Sequence, residues 1–155
     1  MIAIIKAQFN SHITDLLEAG CTEYLAQHNL PFTAFECPGA VETVVYANKL
    51  ISTGKYKSII VIGAIIKGDT DHYEYVCQYV TNGISQLSAL HTTPIIFGIL
   101  TVQNEELAYE RAAIDRMNKG KEFGETAQFM MNAFDNLLFF LKFVNTPSDK
   151  FTTVA

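Results

Sequence analysis

The chain has 155 residues, 49% hydrophobic and 17% charged, a balance that suits a folded domain with a full-sized core and argues against a disordered chain. Eleven basic against sixteen acidic residues give a formal charge of −5, so the chain lacks the basic surface that nucleic-acid binding requires. Its three cysteines are too far apart for a Cys-x-x-Cys pair and its four histidines have no close ligand spacing, so we expect no metal site.

The sequence predicts a protein that stays in the cytoplasm and away from membranes. The amino-terminal run MIAIIKAQFN is interrupted by Lys6 and has no basic leader of a signal peptide. The most hydrophobic segment, residues 137–144, is too short to span a bilayer. We expect residues 1–145 to form a single α/β domain and residues 146–155 to form a polar C-terminal tail.

Strands and helices alternate in the first half of the chain. Residues 2–7 are apolar and branched and predict a strand, and apolar residues at helical spacing between 13 and 25 predict a helix. A second, more mixed strand is expected at 32–37, at a sheet edge. Residues 38–54 then predict a helix that opens at Pro-Gly-Ala and ends at a glycine.

The same alternation continues in the second half. A third strand at 59–66 leads through a polar turn into a helix from about 71 to 91, and a fourth strand follows at 94–100. Asn104 predicts the cap of a short helix. The last helix, from about 122 to 143, is apolar around more of its circumference than a surface helix needs, which suggests a subunit interface or a place deep in the core.

This order predicts an α/β fold: a three-layer, flavodoxin-like sandwich with a central four-stranded parallel sheet and helices on both faces. Loops that leave the carboxyl ends of parallel strands open on one edge, where ligands bind. Those loops contribute an aromatic ring, an amide, turn glycines, a carboxylate and an imidazole, a mixture that suits a flat polar heterocycle with a hydroxylated or phosphorylated appendage. The residues are Phe9, Asn10, Gly39, Glu42, Gly68 and His72.

The junction from Val61 to Val76 is the strongest single candidate for chemistry. A strand, the turn Lys67-Gly68-Asp69-Thr70 and a helix that carries His72 follow one another, so free backbone N–H groups and a helix dipole could hold an anion beside an imidazole. The Gly-x-Gly-x-x-Gly fingerprint of a dinucleotide site does not follow the first strand.

Each candidate also has a purely structural interpretation. Gly68 could only permit a tight turn and His72 could be a solvated helix residue. Phe9 could fold over the core, and Asn10 could cap the first helix. The remaining candidates are charged residues with ordinary surface interpretations: Glu42 as a first-turn acid, Arg111 paired with Glu110 or Asp115, and Lys119 as a turn lysine.

Six segments, in register along nearly the whole chain, together resemble the lumazine synthase family. They are Gln8-Phe9-Asn10, Pro38-Gly39-Ala40-Val41-Glu42, Gly63 to Tyr73, Pro94 to Thr101, Glu110-Arg111-Ala112 and Asn118-Lys119-Gly120. Any one of them alone would be weak evidence. Val41 stands where the family usually has phenylalanine, Lys67 replaces a usual arginine, and Asp69 and Asp71 place two carboxylates around the turn.

The resemblance implies a cofactor-independent condensation of 5-amino-6-(D-ribitylamino)uracil with 3,4-dihydroxy-2-butanone 4-phosphate. It implies that Phe9 stacks on the pyrimidine and that His72 transfers protons. It also implies that the ribityl chain is held by Asn10, Ala40 and Glu42, with Val41 in the pocket wall. The heterocycle would contact Ile65 and Ile66, and the phosphate would be bound by Gly68, Asp69, Thr70 and Arg111. Lys119 would lie near the substrate, and Phe97 would complete the pocket from a neighbouring subunit. It further implies a homo-oligomer, a pentamer or an assembly of pentamers, with active sites between subunits.

Two alternatives come from other functional classes. Val41 and the acidic turn motivate a catalytically weak relative that binds a pteridine or flavin, although the joint presence of His72, Arg111 and Lys119 argues against it. The other alternative is a monomeric flavodoxin-like signalling or electron-transfer module, in which the apolar last helix would pack internally.

Overall fold

The structure, a computed structural model, describes residues 1–144, so the predicted polar tail at residues 146–155 lies outside the described residues. Four strands alternate with five helices in this part of the chain. The elements are β1 (Ile2–Ala7), α1 (Ser11–Gln27), β2 (Phe32–Cys37), α2 (Glu42–Ser52), β3 (Ser58–Ile66), α3 (His72–Leu90), β4 (Ile95–Val102), α4 (Glu105–Ala112) and α5 (Lys119–Val144).

The four strands form one parallel sheet in the order β2-β1-β3-β4, with helices on both faces. The predicted α/β, flavodoxin-like class is therefore confirmed, and β2 is an edge strand as expected. β1 pairs with β3 only as far as Lys6 opposite Ile62, whereas β3 pairs with β4 up to Ile66 opposite Val102. The carboxyl end of β3 thus projects beyond β1.

Alternate residues of the central strands face two separate apolar layers. Ile2 and Ile4 of β1 pack with α1, α4 and α5 on one face, whereas Ala3 and Ile5 pack with α2 and α3 on the other. All four side chains are fully buried. A strand that is buried on both faces has no polar alternation, which explains the continuous apolar run in the sequence.

Small residues let α1 and α5 approach closely. A Cβ added to Gly120 would collide with the backbone of Leu17 and would lie 3.0 Å from the amide nitrogen of Cys21. A Cβ on Gly124 would lie 2.8 Å from a ring atom of Tyr24. The first turns of α5 therefore rest directly on the α1 backbone.

Lys6 is a buried charge in this otherwise apolar sheet. Its Nζ lies 2.7 Å from Asp15, 2.9 Å from Glu18 and 3.3 Å from Glu36. Burial by itself lowers the pKa of Lys6, but the three carboxylates outweigh burial and raise it above the ordinary lysine value. The ammonium group is therefore held charged between the start of α1 and the edge strand β2.

Several predicted boundaries differ from the structure. Helix α2 begins at Glu42 and not at Pro38, because residues 38–41 form a bend and turn at the end of β2. Strand β4 continues to Val102, and α5 begins at Lys119, three residues before its predicted start. Val45 of α2 is exposed although it is apolar.

The part of α5 from Phe129 onward carries exposed apolar side chains. The large ones are Phe129, Phe134, Leu137, Leu138, Phe139, Phe140 and Leu141. Deep burial of the whole helix within one chain, one of the two sequence interpretations, is therefore wrong for this part of α5. Among residues 1–144 there is no helix long and apolar enough to cross a membrane.

Candidate active site

A cavity of about 440 Å³ opens at the carboxyl edge of the sheet, between the loops that follow β1, β2 and β3. It brings together residues that the sequence placed in four separate segments. Its lining includes Phe9, Gly39, Ala40, Val41, Glu42, Ile65, Ile66, Gly68, Thr70 and His72. The stagger of the strands creates this space, because the projecting end of β3 forms one wall and the loops after β1 and β2 form another.

Phe9 stands over the cavity with its ring largely in solvent. Its side chain is 71% exposed, so it does not fold over the core. Its backbone is nevertheless held, because the Phe9 N–H donates to the Pro38 carbonyl at 2.9 Å, and the preceding N–H of Gln8 donates to Cys37 at 2.9 Å. An exposed aromatic ring on a fixed backbone can stack on a flat ligand at low entropic cost.

Asn10 occupies the N-cap position of α1, but its side chain does not cap the helix. Its main-chain carbonyl accepts from the N–H groups of Ile13 and Thr14 and so starts α1. Its side-chain Nδ2 donates instead to the carbonyl oxygen of Ala64, at 2.9 Å. Asn10 has a φ of 59°, in the left-handed region that asparagine tolerates better than most residues.

Glu42 is the first residue of α2, where a carboxylate is favoured by the helix dipole. The nearby Cys37 thiol is buried and donates to the Gly39 carbonyl at 3.4 Å. Burial, followed by the negative charge of Glu42, raises the pKa of Cys37 to about 11. The thiol is therefore protonated at neutral pH and is unsuited to act as a nucleophile.

His72 is the first residue of α3, so its side chain and the amino end of the helix face the same cavity. The His72 N–H lies 3.4 Å from the Oγ1 of Thr70. The turn glycine Gly68 does not have a left-handed φ, and a Cβ added there would meet nothing within 4 Å. A tight turn therefore does not explain this glycine, whose missing side chain leaves open space at the helix terminus.

Lys67 lies beside the cavity without lining it. Its Nζ is 2.9 Å from Glu74 and 5.7 Å from the centre of the Tyr73 ring. The hydrogen bond between Lys67 and Glu74 raises the pKa of the lysine and lowers that of the glutamate. Both groups are exposed, so this pair contributes little to stability.

Phe97, Arg111 and Lys119 are not in this cavity. They line a second pocket, of about 320 Å³, formed by β4 and the amino end of α5. Arg111 donates to the carbonyl of Leu107 at 3.2 Å, and Lys119 pairs with Glu122 at 2.7 Å. The acids proposed as partners of Arg111 instead lie beside Arg116, with Glu110 at 3.9 Å and Asp115 at 4.0 Å.

Three cavity residues were not among the sequence candidates: Ala64, Tyr73 and Val76. Tyr73 and Val76 are three residues apart on α3, a spacing that is typical of the core-facing side of a helix. They are partly buried and also line the cavity, so one stripe serves both purposes. Asp69, by contrast, is exposed and lines neither pocket.

The side chains that line the main cavity do not supply the positive charge that a bound phosphate needs. Its lining contains Glu42 and His72, whereas no lysine or arginine of the described chain lines it. The part of the chain that the structure describes also contains no cluster of histidine, cysteine and acidic residues able to hold a metal ion. The cavity therefore offers helix N–H groups, a carboxylate and an imidazole, whereas Arg111 and Lys119 lie in the second pocket.

Known proteins match most of the chain. The family model for 6,7-dimethyl-8-ribityllumazine synthase matches residues 1–135. The chain is similar to the 6,7-dimethyl-8-ribityllumazine synthase of Desulfovibrio desulfuricans, with 40% identity over 124 residues, 78% of this chain and 80% of the relative. It is also similar to the enzyme of that name from Coxiella burnetii, with 38% identity over 133 residues, 84% of this chain and 88% of the relative.

Proposed function

Because the chain belongs to the 6,7-dimethyl-8-ribityllumazine synthase family, we propose that its cavity is where 5-amino-6-(D-ribitylamino)uracil condenses with 3,4-dihydroxy-2-butanone 4-phosphate. The chain is a transferase of riboflavin biosynthesis, and the products of the condensation are 6,7-dimethyl-8-ribityllumazine, phosphate and water. The family membership carries this assignment. The cavity supports it because its lining combines an aromatic ring, a carboxylate, an imidazole and a helix amino terminus.

The chemistry asks for positioning and proton transfer more than for covalent catalysis. An amine and a ketone condense without a protein nucleophile. The protein therefore accelerates the reaction mainly by holding the two reactants together in a reactive orientation. Imine formation, phosphate loss and ring closure each move protons, and an imidazole can both donate and accept them. His72 is the histidine at the cavity and takes this role in the proposal.

Each end of the cavity suits a different substrate. Phe9 would stack on the pyrimidine, and Ala40, Val41 and Glu42 would lie along the ribityl chain. Asn10 does not line the cavity, and its side chain binds the Ala64 carbonyl beside it. Ile65 and Ile66 would contact the heterocycle. The turn formed by Gly68, Asp69 and Thr70 at the amino end of α3 would hold the phosphate.

The phosphate still needs a counter-charge, and this need supports a site shared between subunits. Arg111 and Lys119 lie with Phe97 in the second pocket, which does not share a lining residue with the main cavity. If the second pocket of one subunit faces the cavity of its neighbour, the cations and the helix terminus meet at one phosphate. A closed ring of like contacts is the simplest assembly that repeats such a junction, and a pentamer is our proposal.

Exposed apolar side chains also support an assembly. Tyr75, Tyr79 and Leu90 on α3 are more than half exposed, as is Val45 on the neighbouring helix α2. Large apolar groups grouped on one side of a chain are typical of subunit contacts. Light scattering should give about five times the 17.3 kDa chain mass, and a monomer would contradict the shared site.

The activity is tested directly by mixing the purified protein with both substrates and following the fluorescent lumazine product. We expect a rate well above the spontaneous condensation. A rate equal to that background would contradict the assignment, and adding a chelator should leave the rate unchanged because the proposal uses no metal.

Complementation between inactive variants tests whether the site is shared. His72→Ala and Arg111→Ala subunits are unfolded together and reassembled in equal amounts, then assayed at a butanone phosphate concentration too low for Arg111→Ala to turn over alone. In randomly mixed rings about one junction in four joins an intact His72 to an intact Arg111, so about a quarter of the activity should return. A site contained within one chain would recover none of it.

We also propose that the protein works in the cytoplasm. Its three cysteines, Cys21, Cys37 and Cys77, are all unpaired thiols, as is usual in a reducing compartment. Fractionation of the source cells, with immunodetection of the chain in the cytoplasmic fraction, tests this location.

A further inference from the structure

We propose that Asn10 is a positioning residue, which fixes the ring of Phe9 over the cavity by connecting the β1–α1 loop to the projecting end of β3. This inference rests on the proposed function, because it concerns the pyrimidine side of the same site. It assigns Asn10 to the support of the stacking ring and not to a direct contact with the ribityl chain.

The geometry of the sheet explains why such a connection is needed. The last pair between β1 and β3 joins Lys6 to Ile62, so the Ala64 carbonyl lies past the point where β1 can provide a partner. The amide of Asn10 donates to this carbonyl at 2.9 Å and so replaces the hydrogen bond that a longer β1 would provide. A carbonyl at the inner end of a sheet needs such a partner, because an unpaired buried polar group is costly.

The backbone conformation of Asn10 is consistent with this role. A φ of 59° is unfavourable for a residue other than glycine, and asparagine is among the residues that tolerate it best. The side chain makes no capping bond to α1, so helix stability does not account for it. The left-handed conformation and the long-range hydrogen bond occur in the same residue, directly after Phe9.

The loop that carries Phe9 is thereby held on two sides. The Phe9 N–H donates to Pro38 in the loop after β2, and the Asn10 amide donates to Ala64 in β3. The ring itself is 71% exposed, so packing around the ring cannot fix its place. These backbone and side-chain bonds hold the loop from which the ring extends over the cavity. Removing the bond to Ala64 would let the ring move and would weaken stacking.

The test is the affinity for the pyrimidine substrate, measured by calorimetry in the absence of the second substrate. Asn10→Asp keeps the shape and the tolerance of positive φ but cannot donate to the Ala64 carbonyl. Asn10→Gly keeps the backbone conformation without the amide and without adding a charge. We expect both to raise the Kd about tenfold, a typical loss for an impaired aromatic stack.

A matched control is available at Asn29. This residue also has a left-handed backbone, with a φ of 54°, but it is exposed at the end of α1, away from the cavity. Asn29→Asp should leave the Kd unchanged. If both Asn10 variants bind the pyrimidine substrate with the same Kd as the Asn29 variant, the inference is wrong. This holds even if the melting temperatures of the Asn10 variants fall.

A double-mutant cycle separates positioning from direct contact. If Asn10 acts through Phe9, Asn10→Asp should add almost nothing in a Phe9→Leu background, because both changes remove the same stacking interaction. Independent, multiplying effects would show a contact of Asn10 with the substrate and would overturn the inference. Failure of the wild-type protein to form lumazine would instead refute the proposed function, so the two failures are distinguishable.

Discussion

Replacing Gly120 with alanine should both destabilise the protein and disturb the second pocket. The new Cβ would collide with the Leu17 carbonyl and would lie 2.8 Å from the Leu17 carbonyl carbon and 3.0 Å from the Cys21 nitrogen. All of these are backbone atoms of α1, so no side chain can rotate away, and α5 must shift. Overpacking of this kind costs about 1–3 kcal/mol, and contact with backbone places this site near the upper limit.

An opposing effect is the higher helix propensity of alanine, worth up to about 1 kcal/mol over glycine. We therefore expect a net loss of about 2 kcal/mol in the free energy of unfolding. For a chain of this length that corresponds to a melting temperature lower by roughly 4–8 °C. Because Lys119 precedes Gly120 and lines the second pocket, the Michaelis constant for the butanone phosphate should also rise.

Differential scanning calorimetry and urea denaturation at one protein concentration measure the stability, and two glycine variants act as controls. Gly68→Ala adds a Cβ with no neighbour within 4 Å and should change the stability by less than about 0.5 kcal/mol. Gly124→Ala meets the ring of Tyr24, a side chain that can move, so its loss should be smaller than that of Gly120→Ala. If Gly120→Ala is as stable as wild type, the close contact of α1 and α5 is not as described.

In steady-state assays, Arg111→Ala should chiefly raise the Michaelis constant for the butanone phosphate, whereas His72→Ala should chiefly lower turnover; unchanged kinetics in both would refute the site assignment. Lys6→Met should lower the free energy of unfolding at neutral pH, because it leaves three carboxylates without their cation. A hydrogen bond from Gln8 and, after it, contact with Lys6 lower the pKa of Glu36, so the stabilising contribution of this carboxylate is present above its unfolded pKa of about 4.3 and is lost at lower pH. Urea denaturation should therefore show the deficit of Lys6→Met shrinking in acid, and a deficit independent of pH would contradict this origin. Burial raises the pKa of all three thiols, that of Cys21 to about 12, so the folded protein should react slowly with a thiol reagent at pH 8 and the unfolded chain fully. The same shifts predict that stability falls as pH rises above the ordinary thiol pKa of about 8.5, since the unfolded state then releases protons that the folded state retains.

Much of the fold was predictable from the sequence because β1 and β3 are almost entirely buried. The predicted limits of β1 agree with the structure because a run of mostly branched apolar residues is typical of a buried strand. The limits of the more mixed edge strand β2 also agree, because Pro31 and Pro38 flank it. Helix starts were less predictable. The start of α2 follows a turn that sequence periodicity cannot distinguish from a first helical turn, and α5 begins at Lys119, directly before the glycine that contacts the α1 backbone.

The candidate site was predictable to the extent that strand ends meet at one edge. That rule brought Phe9, Glu42 and His72 together without any coordinates. It could not show that Arg111 lies in a different pocket, because the position of a helical side chain depends on packing angles that no local pattern encodes. Nor could it show where the amide of Asn10 points, since the bond to Ala64 joins residues 54 positions apart.

The overhang of β3 beyond β1 also indicates how this cavity could be resized. Strand β3 continues for four residues after its last pair with β1, and three of them, Ala64, Ile65 and Ile66, line the cavity. Side chains alternate between the two faces of a strand, so deleting one residue would exchange the directions of Ile65 and Ile66. Deleting two would keep both directions and shorten the wall by about 7 Å. Engineering this site for a larger or smaller heterocycle should therefore proceed in steps of two residues.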